Sequence, residues 1–315
     1  MDNMTKKIAV VAVGGNALIQ QKGKEGIADQ YAAASQTMGY VAEMIQAGWD
    51  VVVTHGNGPQ VGFALRRSEL AANELPPVPL DYCGAETQGW IGYMFQKALN
   101  NVFAQRGIAK YAATVVTQCL VDAADPAFKN PTKPIGSFVD AAAAEQLRAQ
   151  GKHVTEDSGR GWREVVASPQ PKEIIEAPAI QQLIESGFMV VACGGGGIPV
   201  IKEGGELKGV AAVIDKDFAS SLLAGEIGAE LLLISTGVEQ VMLHYNTPQQ
   251  RALKRMTVAE AKQYIEEGHF APGSMLPKIQ AAVRFVEAGG TQALITDPAN
   301  IARALRGETG TWISA

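Results

Sequence analysis

The chain has 315 residues with 27 basic and 32 acidic side chains, a net charge of −5, and 47% hydrophobic residues. That length allows one large α/β domain or two lobes, and the acidic balance with no lysine or arginine cluster argues against nucleic acid or an anionic membrane as partner. No apolar run approaches the roughly eighteen residues of a membrane span and no signal-peptide core follows MDNMTKK, so the expected location is the cytoplasm.

The first predicted strand is IAVVAV (8–13), which ends at Gly14, Gly15 and Asn16. A helix is expected over 29–47, stopped by Gly48. DVVVT (50–54) is the next strand and ends in His55, Gly56, Asn57 and Gly58, with Pro59 suited to the first turn of a following helix. The β-α-β-α order marks a parallel sheet covered on both faces. A helical stripe runs through 82–105 to Gly107, and AATVVTQCLV (112–121) reads as one strand. From 122 to 171 the texture becomes rich in proline and lysine, and a small appended subdomain outside the main sheet is expected there.

A helix over 177–187 leads into FMVVAC (188–193), a buried strand that opens into four glycines, Gly194 to Gly197. So many glycines fit either a backbone cradle for phosphate or a tight structural crossing. A hairpin tip is expected at 203–207, then a helix over 218–228 and strands at 231–235 and 241–245. A helix over 257–267 carries a capping box of Thr257 and Glu260. A last helix starts at Pro277 and Lys278, and a last strand at 293–296.

Three glycine loops, at 14–16, 56–58 and 194–197, follow strand ends, the edge at which an open α/β sheet binds ligands. GNGPQVG misses the dinucleotide spacing by one residue and no Walker motif occurs. Lys133 in NPTKPIG, Lys216 in IDKD and Lys278 in MLPK sit in unusual settings. A lysine at a helix N-terminus opposes the macrodipole unless an anion is bound. Lys216 between Asp215 and Asp217 also fits a surface ion-pair cluster. The four histidines are scattered, and His55 is marked only by its place beside the second loop. Arg160 and Arg163 fit either a carboxylate clamp or structural salt bridges. Cys83, Cys119 and Cys193 are expected to be reduced core residues, and no metal ligands are expected from the protein. Lysines and glycine loops without a general base fit phosphoryl transfer, in which the protein positions reactants and neutralises charge.

VGGNAL (13–18), THGNGPQVG (54–62), FKNPTKPIG (128–136), EDSGRGWREVVASP (156–169), CGGGGIPV (193–200), KGVAAVIDKDFAS (208–220) and FAPGSMLPKI (270–279) together resemble the carbamate kinase branch of the amino-acid kinase family. The resemblance implies a three-layer αβα sandwich with an eight-stranded, mainly parallel sheet and a protruding subdomain at 122–171. It implies one domain over 1–315, with a carbamate and phosphoryl half (1–190) and a nucleotide half (191–315), in a homodimer. Its activity is reversible phosphoryl transfer between ATP and carbamate with Mg²⁺, expected to run toward ATP from ADP and carbamoyl phosphate. Carried over, Gly14, Gly15, Asn16, Gly56, Asn57 and Gly58 would hold the substrate. Lys133, Lys216 and Lys278 would contact phosphates, Asp217 would organise the lysines, and Gly194 and Gly195 with Lys216 and Lys278 would serve the nucleotide. The alternatives are another small-carboxylate kinase of the family, or a silent nucleotide or metabolite sensor on the same fold.

Overall fold

A computed structural model describes residues 7–15, 18–19, 23–156 and 161–315. The chain runs through β1 (Lys7–Val13), α1 (Ile27–Gln46), β2 (Trp49–His55), α2 (Gly58–Ala71), α3 (Leu80–Arg106), β3 (Ala112–Thr114) and β4 (Gln118–Val121). Next come β5 (Lys133–Val139), α4 (Ala141–Ala149), β6 (Val154–Glu156), β7 (Trp162–Val166), β8 (Pro171–Ile174) and α5 (Ala177–Glu185). They are followed by β9 (Met189–Val191), β10 (Ile198–Glu203), β11 (Glu206–Gly209), α6 (Lys216–Glu226), β12 (Leu231–Ser235) and β13 (Val241–Leu243). The last elements are β14 (Arg251–Leu253), β15 (Arg255–Thr257), α7 (Val258–Glu266), α8 (Met275–Glu287), β16 (Gln292–Thr296), α9 (Ile301–Leu305) and β17 (Thr311–Ser314).

Eight strands make one sheet in the order β15-β17-β16-β12-β1-β2-β9-β3. Its neighbours pair in parallel except β16 with β17. The unbroken apolar runs of the central strands follow from burial on both faces. Val10 and Ala12 of β1 join a core with α5, α6, α7 and α8, whereas Ala9, Val11 and Val13 join a second core with α1, α3 and α9. The result is the expected three-layer αβα sandwich. Each fully buried valine contributes about 1.5–3 kcal/mol, so the strands are fixed from both sides and their ends are held rigidly in line.

Strand boundaries differ from expectation at several places, among them 241–245, where β13 ends at Leu243 and His244 takes the left-handed conformation at φ 51°. The stretch 112–121 is not one strand: β3 closes the edge of the main sheet against β9, and β4 leaves it for a second sheet, β11-β10-β4-β8. The switch is stabilised at Thr117, whose N–H donates to Gln88 Oε1 at 2.8 Å and whose carbonyl accepts from Gln88 Nε2 at 3.0 Å. A buried glutamine thus satisfies the Thr117 N–H and adds a second donor to its carbonyl, which also accepts from the Ile198 N–H at 2.8 Å, an arrangement apolar periodicity does not reveal. Similarly β9 ends at Val191, and Cys193 takes the left-handed conformation at φ 49°. The hairpin at 203–207 and the Thr257–Glu260 capping box are present as expected. Helix α6 begins two residues before the expected start, at Lys216.

The segment 122–171 stands outside the main sheet. Its β5, β7 and β6 form an antiparallel three-stranded sheet with α4 beside it. It seats on α2 at a glycine–glycine crossing, where a Cβ on Gly62 would lie 1.9 Å from the Gly136 Cα. All three cysteines are buried and free. Among the described residues no helix is long and apolar enough to cross a membrane.

Candidate active site

Strands β12, β1, β2 and β9 are neighbours, so the loops after them meet at one end of the sheet. Gly14, Gly15, Gly56, Asn57, Gly58 and Gly195 line one cleft there, of about 500 Å³. Three helices begin at the same cleft: α2 at Asn57 to Gln60, α6 at Asp215 to Asp217, and α8 at Ser274, Pro277 and Lys278. The positive ends of their dipoles make the space suited to an anion.

The three lysines come together in this cleft. Lys216 Nζ donates to Asp217 Oδ1 at 2.5 Å, and Lys278 Nζ donates to Asp217 Oδ2 at 2.9 Å. Lys133, from β5 of the subdomain, donates to Asp215 Oδ2 at 2.6 Å. Two ammonium groups repel, and a single carboxylate between them holds them together. Burial is the largest influence on Asp217 and pushes its carboxyl up, but the charges of Lys216 and Lys278 outweigh it and hold the group well below the ordinary carboxylate range. Burial pushes Lys216 down and Lys278 adds to this. Asp217 opposes both only in part, so its ammonium sits below the usual lysine range. The side chains of Lys216 and Asp217 are 12% and 5% exposed, so this is not the solvated surface cluster that the sequence left open. The Lys216 stem runs beneath Gly56, where a Cβ would touch its Cδ at 3.4 Å.

The four-glycine loop answers its own ambiguity. A Cβ on Gly194 would meet His55 Nε2 at 2.6 Å, on Gly195 the Asn57 amide nitrogen at 2.2 Å, on Gly196 the Ile214 carbonyl at 2.5 Å and on Gly197 the Cys119 Cβ at 2.7 Å. Each position is therefore a close crossing that admits no side chain. Gly195 also lines the cleft, while Gly194 is buried behind it and accepts from Gln88 Nε2 at 2.9 Å. Asn57 lines the cleft too, but its side chain is turned to Thr87, donating to Oγ1 at 2.8 Å.

His55 is 1% exposed, its ring edge-on to Phe95 at 5.4 Å, and Nδ1–H donates to the Gly56 carbonyl at 3.1 Å. Burial lowers it most. The Gly56 hydrogen bond works the other way, the Lys216 charge adds to the lowering, and the imidazole titrates at about 4. It is a neutral structural group beneath the second loop. Arg163 lines the cleft, donating from Nη2 to the Gly136 carbonyl at 3.0 Å and lying over the Phe138 ring. Asn16 and Arg160 lie outside the described residues.

Sequence reasoning passed over Ser235, Thr236 and Gly237, which line the cleft after β12. LLLIS followed by Thr-Gly repeats the pattern of an apolar strand running into small residues, and that was the available signal. A second cavity of about 620 Å³ shares Thr236, Gly237 and Ser274 with the cleft and is lined by Met242, His244, Tyr245, Phe270 and Met275. Its size and its apolar, aromatic lining are those of a small-molecule pocket. Among the described residues no three His, Cys, Asp or Glu side chains are grouped to hold a metal. Asp215 and Asp217, the cleft's acids, are both engaged by lysines.

The model of the amino acid kinase family matches residues 7–297. A carbamate kinase-like protein of Escherichia coli is 51% identical over 98% of this chain and 99% of its own length. The carbamate kinase of Pyrococcus horikoshii is 48% identical over 97% and 98%. Carbamate kinase from Giardia lamblia bound to AMP-PNP superposes with a TM-score of 0.92 at 42% identity, covering 98% of this chain and 99% of that one. The chain belongs to the amino acid kinase family, on its carbamate kinase branch.

Proposed function

We propose that this protein is a carbamate kinase that moves a phosphoryl group between ADP and carbamoyl phosphate, forming ATP and carbamate, with the nucleotide handled as its Mg²⁺ complex. The observation that carries the reading is the fork of Lys216 and Lys278 on Asp217, set with Lys133 over three helix N-termini. Phosphoryl transfer needs little covalent help from protein. It needs cations around the equatorial oxygens of the moving group and reactants held in line. One ammonium about 4 Å from a phosphate oxygen is worth roughly 4 kcal/mol at an effective dielectric near 20, and three such groups oppose only two carboxylates here.

In this reading Gly14, Gly15 and Gly56 to Gly58 take the carbamoyl end, since backbone without side chains can approach a ligand of about four heavy atoms. Lys216 and Lys278 hold the transferred group, and Lys133 closes over it from the subdomain. The aromatic cavity beside Thr236 and Gly237 takes the nucleoside, the position in which its phosphates reach the cleft. The Giardia lamblia relative bound to AMP-PNP, a nucleotide analogue, supports nucleotide use. Mg²⁺ would arrive on the phosphate oxygens with most of its waters, its usual manner of binding. The proposal includes a cytoplasmic homodimer.

The test is ATP production from ADP and millimolar carbamoyl phosphate, read with a coupled assay. The expected outcome is stoichiometric ATP, with Lys216→Met slower by about 10²- to 10³-fold. No ATP from the wild-type chain would overturn the reading.

A further inference from the structure

The cleft's second acid has no part in the transfer described so far. Asp215 is the N-cap of α6, and its two oxygens do different work. Oδ1 accepts from the Asp217 N–H at 2.9 Å, and Oδ2 accepts from Lys133 Nζ at 2.6 Å. The first bond fixes the backbone of the residue that carries the Lys216 and Lys278 fork. The second reaches across to β5, in a sheet that among the described residues shares no ladder with the main one. Lys133 is a third exposed, so it has freedom to lose, and a charged hydrogen bond is the kind of tie that removes it.

We propose that Asp215 is a positioning residue for phosphoryl transfer, setting Lys133 at a fixed height over the Lys216–Asp217–Lys278 fork. The inference rests on the kinase reading above. Cations supplied from β5 and from the helices α6 and α8 must meet one small group, and a shared carboxylate registers the β5 sheet against α6. An asparagine has one acceptor oxygen where aspartate has two. Asp215→Asn can keep the helix cap or hold Lys133, but not both, and its amide N–H₂ faces the ammonium unfavourably.

The experiment is a double-mutant cycle of Asp215→Asn and Lys133→Met, read as kcat for ATP formation from ADP and carbamoyl phosphate, with a thermal melt of each variant. Asp215→Asn is expected to slow turnover about 10- to 100-fold, the scale of an ångström-sized misplacement, while its cap and melting temperature are retained. In the Lys133→Met background it is expected to add less than about twofold, because the group it positions is gone. Single effects that multiply in the double variant, or an Asp215→Asn enzyme at full rate, overturn the inference and leave the kinase reading standing. A wild-type chain that makes no ATP overturns the kinase reading, and this inference with it.

Discussion

His55 illustrates how the cleft shapes its neighbours one residue at a time. The imidazole is enclosed by Phe95 and Gly194, with Lys216 close enough to repel a proton, and its folded pKa of about 4 lies below the unfolded value of 6.5. Between those values the unfolded chain binds a proton that the folded one does not. The stabilisation is therefore full above pH 6.5 and is lost as pH falls toward 4, by about 3 kcal/mol. Denaturant unfolding at pH 7, 5.5 and 4.5 should show this loss, and His55→Asn should flatten it even if the variant is weaker throughout. An unchanged slope in the variant would place the acid sensitivity in other groups. The sequence marked His55 only by its place next to the second glycine loop. The lysines were legible because each stood in an odd local setting, but their sharing of Asp217 depends on α6 and α8 meeting in space, which spacing along the chain does not encode. Asp215 looked like part of a surface ion-pair cluster and is a partly buried cap and tie.

At the scale of elements, strand and helix order was readable because sheet strands buried on both faces are unbroken apolar runs that end at glycine. The division of 112–121 between two sheets was not, since its cause is the side chain of Gln88 on α3 and not the pattern of the strand itself. The same holds for the crossing of α2 with β5. A glycine inside a helix ordinarily weakens it by about 1 kcal/mol relative to alanine, so Gly62→Ala would be stabilising on propensity alone. Here the added methyl would lie 1.9 Å from the Gly136 Cα, backbone that cannot rotate away. Gly62→Ala is expected to cost about 1–3 kcal/mol of stability and to lower turnover, because the strand it displaces carries Lys133. Gly89→Ala on α3, with nothing within 4 Å of the new carbon, is the control and should melt at or above the wild-type temperature. Equal behaviour of the two variants in melts and in the coupled assay would refute the crossing as the anchor of the subdomain.

For the whole molecule, the sheet is one structural unit from its cleft end to its far edge, and the last residues belong to it. The stretch after Pro298 has no catalytic feature and no strong strand signal, yet β17 lies between β15 and β16, antiparallel to the latter. Ile313 is fully buried in one core and Trp312 packs against the other. Thr311 Oγ1 accepts from the Val241 N–H at 2.8 Å and donates to the Leu253 carbonyl at 2.5 Å, tying the β13-β14 hairpin to the sheet. That hairpin carries Met242, which lines the cavity assigned to the nucleoside. Removing residues 310–315 would take from β15 its partner in the sheet, leave β16 paired only with β12, and open both cores. The cost from Ile313, Trp312 and the lost ladder is roughly 4 kcal/mol or more. The truncated chain is therefore expected to lose its cooperative melt, or to lower it by about 6 °C or more, and to lose ADP-dependent thermal stabilisation although every cleft lysine is intact. A truncated chain that melts with the wild type and still gains stability from ADP would show that the nucleotide cavity is built without this edge.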